Sequence, residues 1–179
     1  DQAWLKYPPE QAAALSLAVL RSGKAGPADF RRVERRLEQA LGKLPRNVPL
    51  QLTRADLCDL QGRFEDAERF YRQVLELDPR NVPALNNLAW LLAHQRGPDE
   101  QALALINKAI DIAGPQAELL DTRGVVHTVL NQGDRAVSDL KEALAATPPP
   151  QRYFHLARAQ QAAKNRPAAV AALQSARAA

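Results

Sequence analysis

The side chains able to do acid–base, nucleophilic or metal chemistry are few, and their spacing argues against an active centre. The histidines are His94, His127 and His155, separated by 33 and 28 residues. No two stand four apart on one helix, as a zinc-type pair would, so no metal site is expected. Each reads as a structural residue, and His127 falls on a packing face. Cys58 is the one cysteine. Beside Leu57 and Leu60 it reads as a small buried hydrophobe, and alone it excludes an internal disulfide. It fits a reducing compartment without ruling out the periplasm. No serine occupies a Gly-x-Ser-x-Gly turn. Ser22-Gly23-Lys24 lacks the glycine spacing and the preceding strand of a phosphate loop. Aspartates and glutamates are scattered among basic residues over the helix faces. The expected protein is non-catalytic, with no cofactor, no metal and no small-molecule substrate.

The elements that would carry any other site are helical. Of 179 residues, 46% are hydrophobic but only 5% aromatic. Ala and Leu dominate, and both are strong helix formers, whereas strand formers are scarce. No apolar run approaches the ~20 residues of a membrane helix. Methionine is absent even at residue 1. That points to a processed product or an excised piece whose targeting signals are lost. The net charge of +4 is a weak pointer to nucleic acid. The densest basic cluster, Arg31, Arg32, Arg35 and Arg36, reads as a solvated face partly paired with Glu34 and Glu38. Nucleic acid is not an expected partner.

Five registers repeat together. Ala40, Val74, Ala109, Ala143 and Ala176 are spaced by 34, 35, 34 and 33 residues. Three residues before each stands a bulky side chain: Leu37, Tyr71, Ile106, Leu140 and Leu173. Five residues after the first four comes a breaker: Pro45, Pro79, Gly114 and Pro148. Ala67, Ala102, Ala136 and Ala169 precede the last four by seven. Ala55, Ala89, Gly124 and Ala157 come twelve or thirteen earlier still. Small residues let two helices approach closely, and the bulky ones fill the grooves beside them. The i, i+3, i+4, i+7 recurrence marks the buried stripe of a helix hairpin. Proline closes each unit, most clearly in Asp78-Pro79-Arg80-Asn81. The pattern predicts first helices over 10–21, 48–61, 82–95, 116–131 and 151–163. Second helices are expected over 28–43, 64–77, 98–112, 134–146 and 167–178.

These residues resemble the tetratricopeptide repeat. Ala55 to Pro79 carries its small–small–bulky–small–Pro order. Leu120-Asp121-Thr122-Arg123-Gly124 does so again with Ala136, Leu140, Ala143 and Pro148. Leu85-Asn86-Asn87-Leu88-Ala89-Trp90 looks like the first helix of many bacterial members. The resemblance implies an all-α fold, a right-handed α-solenoid of antiparallel helix pairs spanning 1–179 as one domain. Clear repeats would cover 48–81, 82–116, 117–149 and 150–179. Residues 1–47 form a degenerate pair with the long loop Ser22–Pro27, and residues 1–9 read as a loose segment or the tail of something preceding.

The resemblance also implies a concave groove lined by the first helices. The faces free of packing place there Thr53 and Asp56, then Asn86, Asn87, Trp90 and His94. Asp121, Thr122 and Val125 follow, and then His155 and Arg158. Leu52, Asp59, Thr128, Phe154 and Gln161 fall on the same faces. Asn is a poor helix-interior residue, and its carboxamide can both donate to and accept from a peptide backbone. Trp90 offers a rigid contact area. Asp56, Asp59 and Asp121 would meet basic or polar residues of the ligand. The acidic-tail clamp of some family members is matched only at Asn87, so that ligand is not expected. The implied function is a protein- or peptide-binding scaffold, part of a larger protein or complex, in the bacterial cytoplasm or periplasm. The alternative is self-association through exposed terminal helices. Trp4, Leu5 and Tyr7 would offer one end, and Val170 and Leu173 the other, on a last helix from Pro167 to Ala179.

Overall fold

The computed structural model describes residues 2–145 and 149–178, and every regular element in them is helical. Pro148, the expected breaker, and Ala146 and Ala179, the expected ends of two helices, lie outside the described residues. The chain divides into two compact units, Asp1–Ala84 and Leu85–Ala179.

The first unit holds α1 (Gln2–Lys6), α2 (Pro9–Arg21), α3 (Pro27–Lys43), α4 (Val48–Leu60), α5 (Phe64–Leu77) and the opening turn of α6 (Val82–Gln95). Leu17, Leu20, Val33, Leu37, Leu50 and Leu57 share its core. α4 packs against both α2 and α3, and α5 folds back on α4. One buried and several more accessible polar contacts accompany this arrangement. Asp56 on α4 accepts a 2.7 Å hydrogen bond from the Tyr71 hydroxyl of α5. It also accepts one from the Arg21 guanidinium of α2, at 3.1 Å. Glu34 pairs with Arg63 at 2.6 Å. Among those, Arg32 bridges Asp29 at 3.0 Å.

Of the two readings of the amino-terminal segment, the loose one does not hold, because residues 2–6 are helical. The Trp4 indole donates to the Ser16 hydroxyl at 3.0 Å, which in turn donates to the Ala12 carbonyl. Pro9 does not loosen the chain, since it is an early residue of α2, where a missing N–H leaves no hydrogen bond unmade. Trp4 is thereby docked on this unit's own core, while Leu5 and Tyr7 stay exposed.

The second unit holds the rest of α6, then α7 (Glu100–Ala113), α8 (Ala117–Val129), α9 (Gly133–Ala143), α10 (Pro150–Ala162) and α11 (Arg166–Ala178). α8 pairs with α9, α10 lies against both, and α11 folds back on α10. Ile106, Leu120, Val126 and Leu140 are fully buried. Gly62, Gly97, Asn131 and Lys164 all turn the chain with positive φ at the ends of first helices. Three of these turns share one hydrogen bond, five residues back: Arg63 to Cys58, Gln132 to His127 and Asn165 to Gln160. This closure satisfies carbonyls that a helix end would leave bare. The fourth turn continues into Pro98, which has no N–H to donate.

His127 sits on the packing face assigned to it. Its Nδ1–H donates to the Gln132 side-chain carbonyl at 2.7 Å, and the ring is buried. Burial pushes its pKa below the ordinary 6.5, against the opposing pulls of Gln132 and Asp139. The unfolded chain therefore takes up a proton more readily than the folded one. The ring's contribution to stability is complete above about pH 6.5 and is lost as pH falls through the lower folded value. Urea midpoints measured between pH 7.5 and 5 should fall for the native chain and change less for His127→Gln. Parallel pH profiles for the two proteins would refute this assignment.

Candidate functional site

Three first helices of the second unit carry a continuous polar–aromatic cluster. Trp90 and His94 are one turn apart on α6, so both stand on one face. Their rings lie 4.1 Å apart between centroids, tilted by 32°. His94 Nδ1 is 3.0 Å from the Trp90 carbonyl. A carbonyl only accepts, so Nδ1 carries the proton. The indole also meets His155 of α10, with centroids 5.3 Å apart and a 57° tilt. His155 Nδ1 in turn donates to Asp121 Oδ1 of α8 at 2.8 Å. The ladder therefore spans α6, α8 and α10. The last contact joins positions 34 residues apart, one repeat length, so the period of the sequence becomes a side-chain contact between neighbouring hairpins.

The predicted groove residues separate into two groups. Trp90, His94, Asp121 and His155 come together as described, and all are at least partly accessible. Asn86 lies next to them on α6 and donates through Nδ2 to Asn87 Oδ1 at 3.1 Å. Among the described residues, the Asn86 carbonyl oxygen is buried without a hydrogen-bond partner. Arg158 is exposed on α10. By contrast Thr53, Asp56, Thr122 and Val125 are buried, which corrects their expected place on an open face. Thr53 turns its hydroxyl onto the Pro49 carbonyl of its own helix. Asp56 is held by Tyr71 and Arg21. Thr128 likewise bonds the Gly124 carbonyl. Helical period alone could not separate these positions from open ones, because a first helix is flanked on two sides and its free arc is narrow.

Of the acids expected to receive a basic ligand, Asp56 is engaged by Arg21 and Asp121 by His155. Sequence reasoning also missed a groove of about 520 Å³ between α10 and α11, lined by Pro150, Phe154, His155, Leu173, Ala176 and Arg177, with Gln151 beside them. The available signal was charge: no acidic residue follows Glu142. Among the described residues, no group of three or more His, Cys, Asp or Glu is placed to hold a metal ion. No helix there is long and apolar enough to cross a membrane. Cys58 is buried, and desolvation raises its thiol pKa despite the nearby Arg63.

The tetratricopeptide repeat family model matches residues 26–82 and 52–118. No curated protein matches the chain. Among solved structures it is similar to PilW, a widely conserved type IV pilus biogenesis factor. There the TM-score is 0.77 at 24% identity, covering 94% of this chain and 79% of that one. It is also similar to TTC0263, a thermophilic repeat protein of Thermus thermophilus, with TM-score 0.75 at 22% identity, covering 93% and 89%. A third is YrrB, described as a repeat protein with an unusual peptide-binding site, with TM-score 0.67 at 16% identity, covering 94% and 83%. These likenesses establish an α-solenoid of helix pairs.

Proposed function

The chain belongs to the tetratricopeptide repeat family, whose fold serves as a protein-interaction scaffold, and from that premise we propose that it is non-catalytic and grips an extended partner segment on the first-helix face of its second unit. Trp90 is the central contact, flanked by His94 and His155. Asn86 and Arg158 supply hydrogen bonds alongside, and Asn87 supports Asn86. Asp121 acts through His155 by holding its ring against the indole.

The supporting observation is the Trp90–His155 ring contact between α6 and α10, anchored by Asp121. A rigid, partly exposed indole set between two imidazoles is suited to a binding hot spot. The carboxamides beside it can pair with a peptide backbone. YrrB's described peptide-binding site is consistent with this use of the fold.

A displayed random-peptide library panned on the intact chain tests the proposal. Selected peptides should lose about 2 kcal/mol, roughly thirty-fold in affinity, on Trp90→Ala. Asp121→Lys should weaken them by about ten-fold, because it frees the His155 ring. Trp4→Phe, on the other unit, should leave binding unchanged. Peptides that bind Trp90→Ala as tightly as the native chain would refute the site.

A further inference from the structure

The face around Trp90 is one-sided in its hydrogen bonding. His94 gives its Nδ1–H to the Trp90 carbonyl, and His155 gives its own to Asp121 Oδ1. A neutral imidazole carries a single N–H, so each ring is left with Nε2 as an acceptor. The second oxygen of Asp121, Oδ2, has no hydrogen-bond partner among the described residues. One turn before Trp90, the Asn86 carbonyl oxygen also lacks a donor. Acceptors without donors therefore come from α6, α8 and α10 together. Against them stand only the Trp90 indole N–H and the guanidinium of Arg158.

Charge narrows the ligand further. A neutral His155 orients the Asp121 carboxylate without cancelling its charge. Of the other cations on these first helices, Arg123 is held by Asp139 and Arg152 by Glu118. Arg158 has no ion pair among the described residues and is exposed. It follows His155 by three residues on α10, so the two side chains share a face with their Cβ atoms about 5–6 Å apart. In an extended segment, side chains two residues apart point the same way and lie about 7 Å apart. One such pair matches the step from His155 to Arg158.

The geometry points to an arginine of a partner protein as the side chain that this face receives, with an acidic side chain two residues away on the same segment meeting Arg158. This names the ligand of the peptide face and rests on that reading. The arginine stem lies along the partly exposed indole, as long basic side chains lie on apolar surface. Its N–H groups are directed to the imidazole Nε2 acceptors, and Asp121 balances its charge. A guanidinium offers five donors in a planar fork, which suits acceptors set on different helices better than the compact ammonium of lysine.

A displayed random heptapeptide library is panned on the intact chain and depleted on Trp90→Ala, so that every recovered sequence uses the indole. Arginine should be enriched at one position, with Asp or Glu two positions from it. The probe is then a synthetic peptide of the recovered consensus, with binding read by fluorescence anisotropy and the fold of each variant by circular dichroism. Citrulline in place of its arginine keeps N–H donors and removes the charge. That change should weaken binding about ten-fold to the native chain and by no more than about two-fold to Asp121→Asn. Asn at 121 still offers His155 an acceptor, so the ring stays in place while the charge is gone. His94→Phe keeps a ring beside Trp90 and removes Nε2. It should weaken the arginine peptide about five-fold and leave the peptide with alanine at that position unaffected. Alanine for the acidic residue should cost about three-fold on the native chain and nothing on Arg158→Ala. Trp90-dependent peptides without the arginine, or equal binding of the citrulline peptide, would overturn this inference and leave the peptide face standing. Recovery of no Trp90-dependent sequence would remove the face itself, and this inference with it.

Discussion

Gly133→Ala is expected to destabilise the second unit by about 2–3 kcal/mol, a large loss for a methyl group. Gly133 begins α9, where it is buried against the turn that joins α10 to α11. A Cβ there would lie 2.4 Å from the Ala163 nitrogen, 2.7 Å from the Ala163 Cα and 2.8 Å from the Ala162 carbonyl carbon. All three are backbone atoms, so no side-chain rotation relieves the clash. The hairpins would have to separate. The gain in helix propensity from Gly to Ala, about 1 kcal/mol in a helix interior, is smaller at a first helical position and does not offset this.

The two tryptophans allow a clean measurement, because Trp4 is in the first unit and Trp90 in the second. In a Trp4→Phe background, urea unfolding followed by Trp90 fluorescence reports the second unit. Gly124→Ala is the comparison. Its Cβ would meet the Leu140 side chain, at 2.5 Å from Cγ, rather than backbone. That side chain can shift, so the cost should be smaller, about 1–2 kcal/mol. An unchanged midpoint for Gly133→Ala would mean that the two turns do not approach as described.

Asp139→Asn should cost about 2–4 kcal/mol in the same unit, and most of that should disappear when Arg123 is also replaced. The Asp139 carboxylate on α9 receives two hydrogen bonds from Arg123 on α8, at 2.8 and 2.7 Å. The pair is mostly buried, with side-chain exposures of 25% and 10%. The hydrogen bond to Asp139 pushes the Arg123 pKa above its ordinary value, despite desolvation. An amide keeps the shape but offers the guanidinium one acceptor instead of two. It also leaves a cation without its counter-charge in a region of low dielectric. A double-mutant cycle with Arg123→Gln isolates the pair. Additive losses would show that the two side chains act independently, contrary to the geometry.

Much of the architecture was legible because it depends on local physics repeated at a fixed period. The small residues Ala55, Ala89, Gly124 and Ala157 marked close approach, and the bulky Tyr71, Ile106 and Leu140 marked the buried stripe. The prolines and glycines between them set most helix ends to within two residues. The amino-terminal helix was illegible. It is only one turn and a half long, and its stability comes from Trp4 reaching back to Ser16, a contact that no periodicity encodes.

The candidate site was only half legible. Residue type singled out Trp90, His94, Asp121 and His155, but their spacing in sequence gave no sign that rings on α6 and α10 would meet. It likewise suggested an acidic middle to the groove, whereas Asp56 and Asp121 are engaged by partners on other helices. By itself, then, the sequence determined the helix-hairpin repeat and the family, because close packing of small and large side chains is written locally and copied. Tertiary structure alone decided which polar residues are spent inside the fold and which remain for a partner, because that depends on distances between helices.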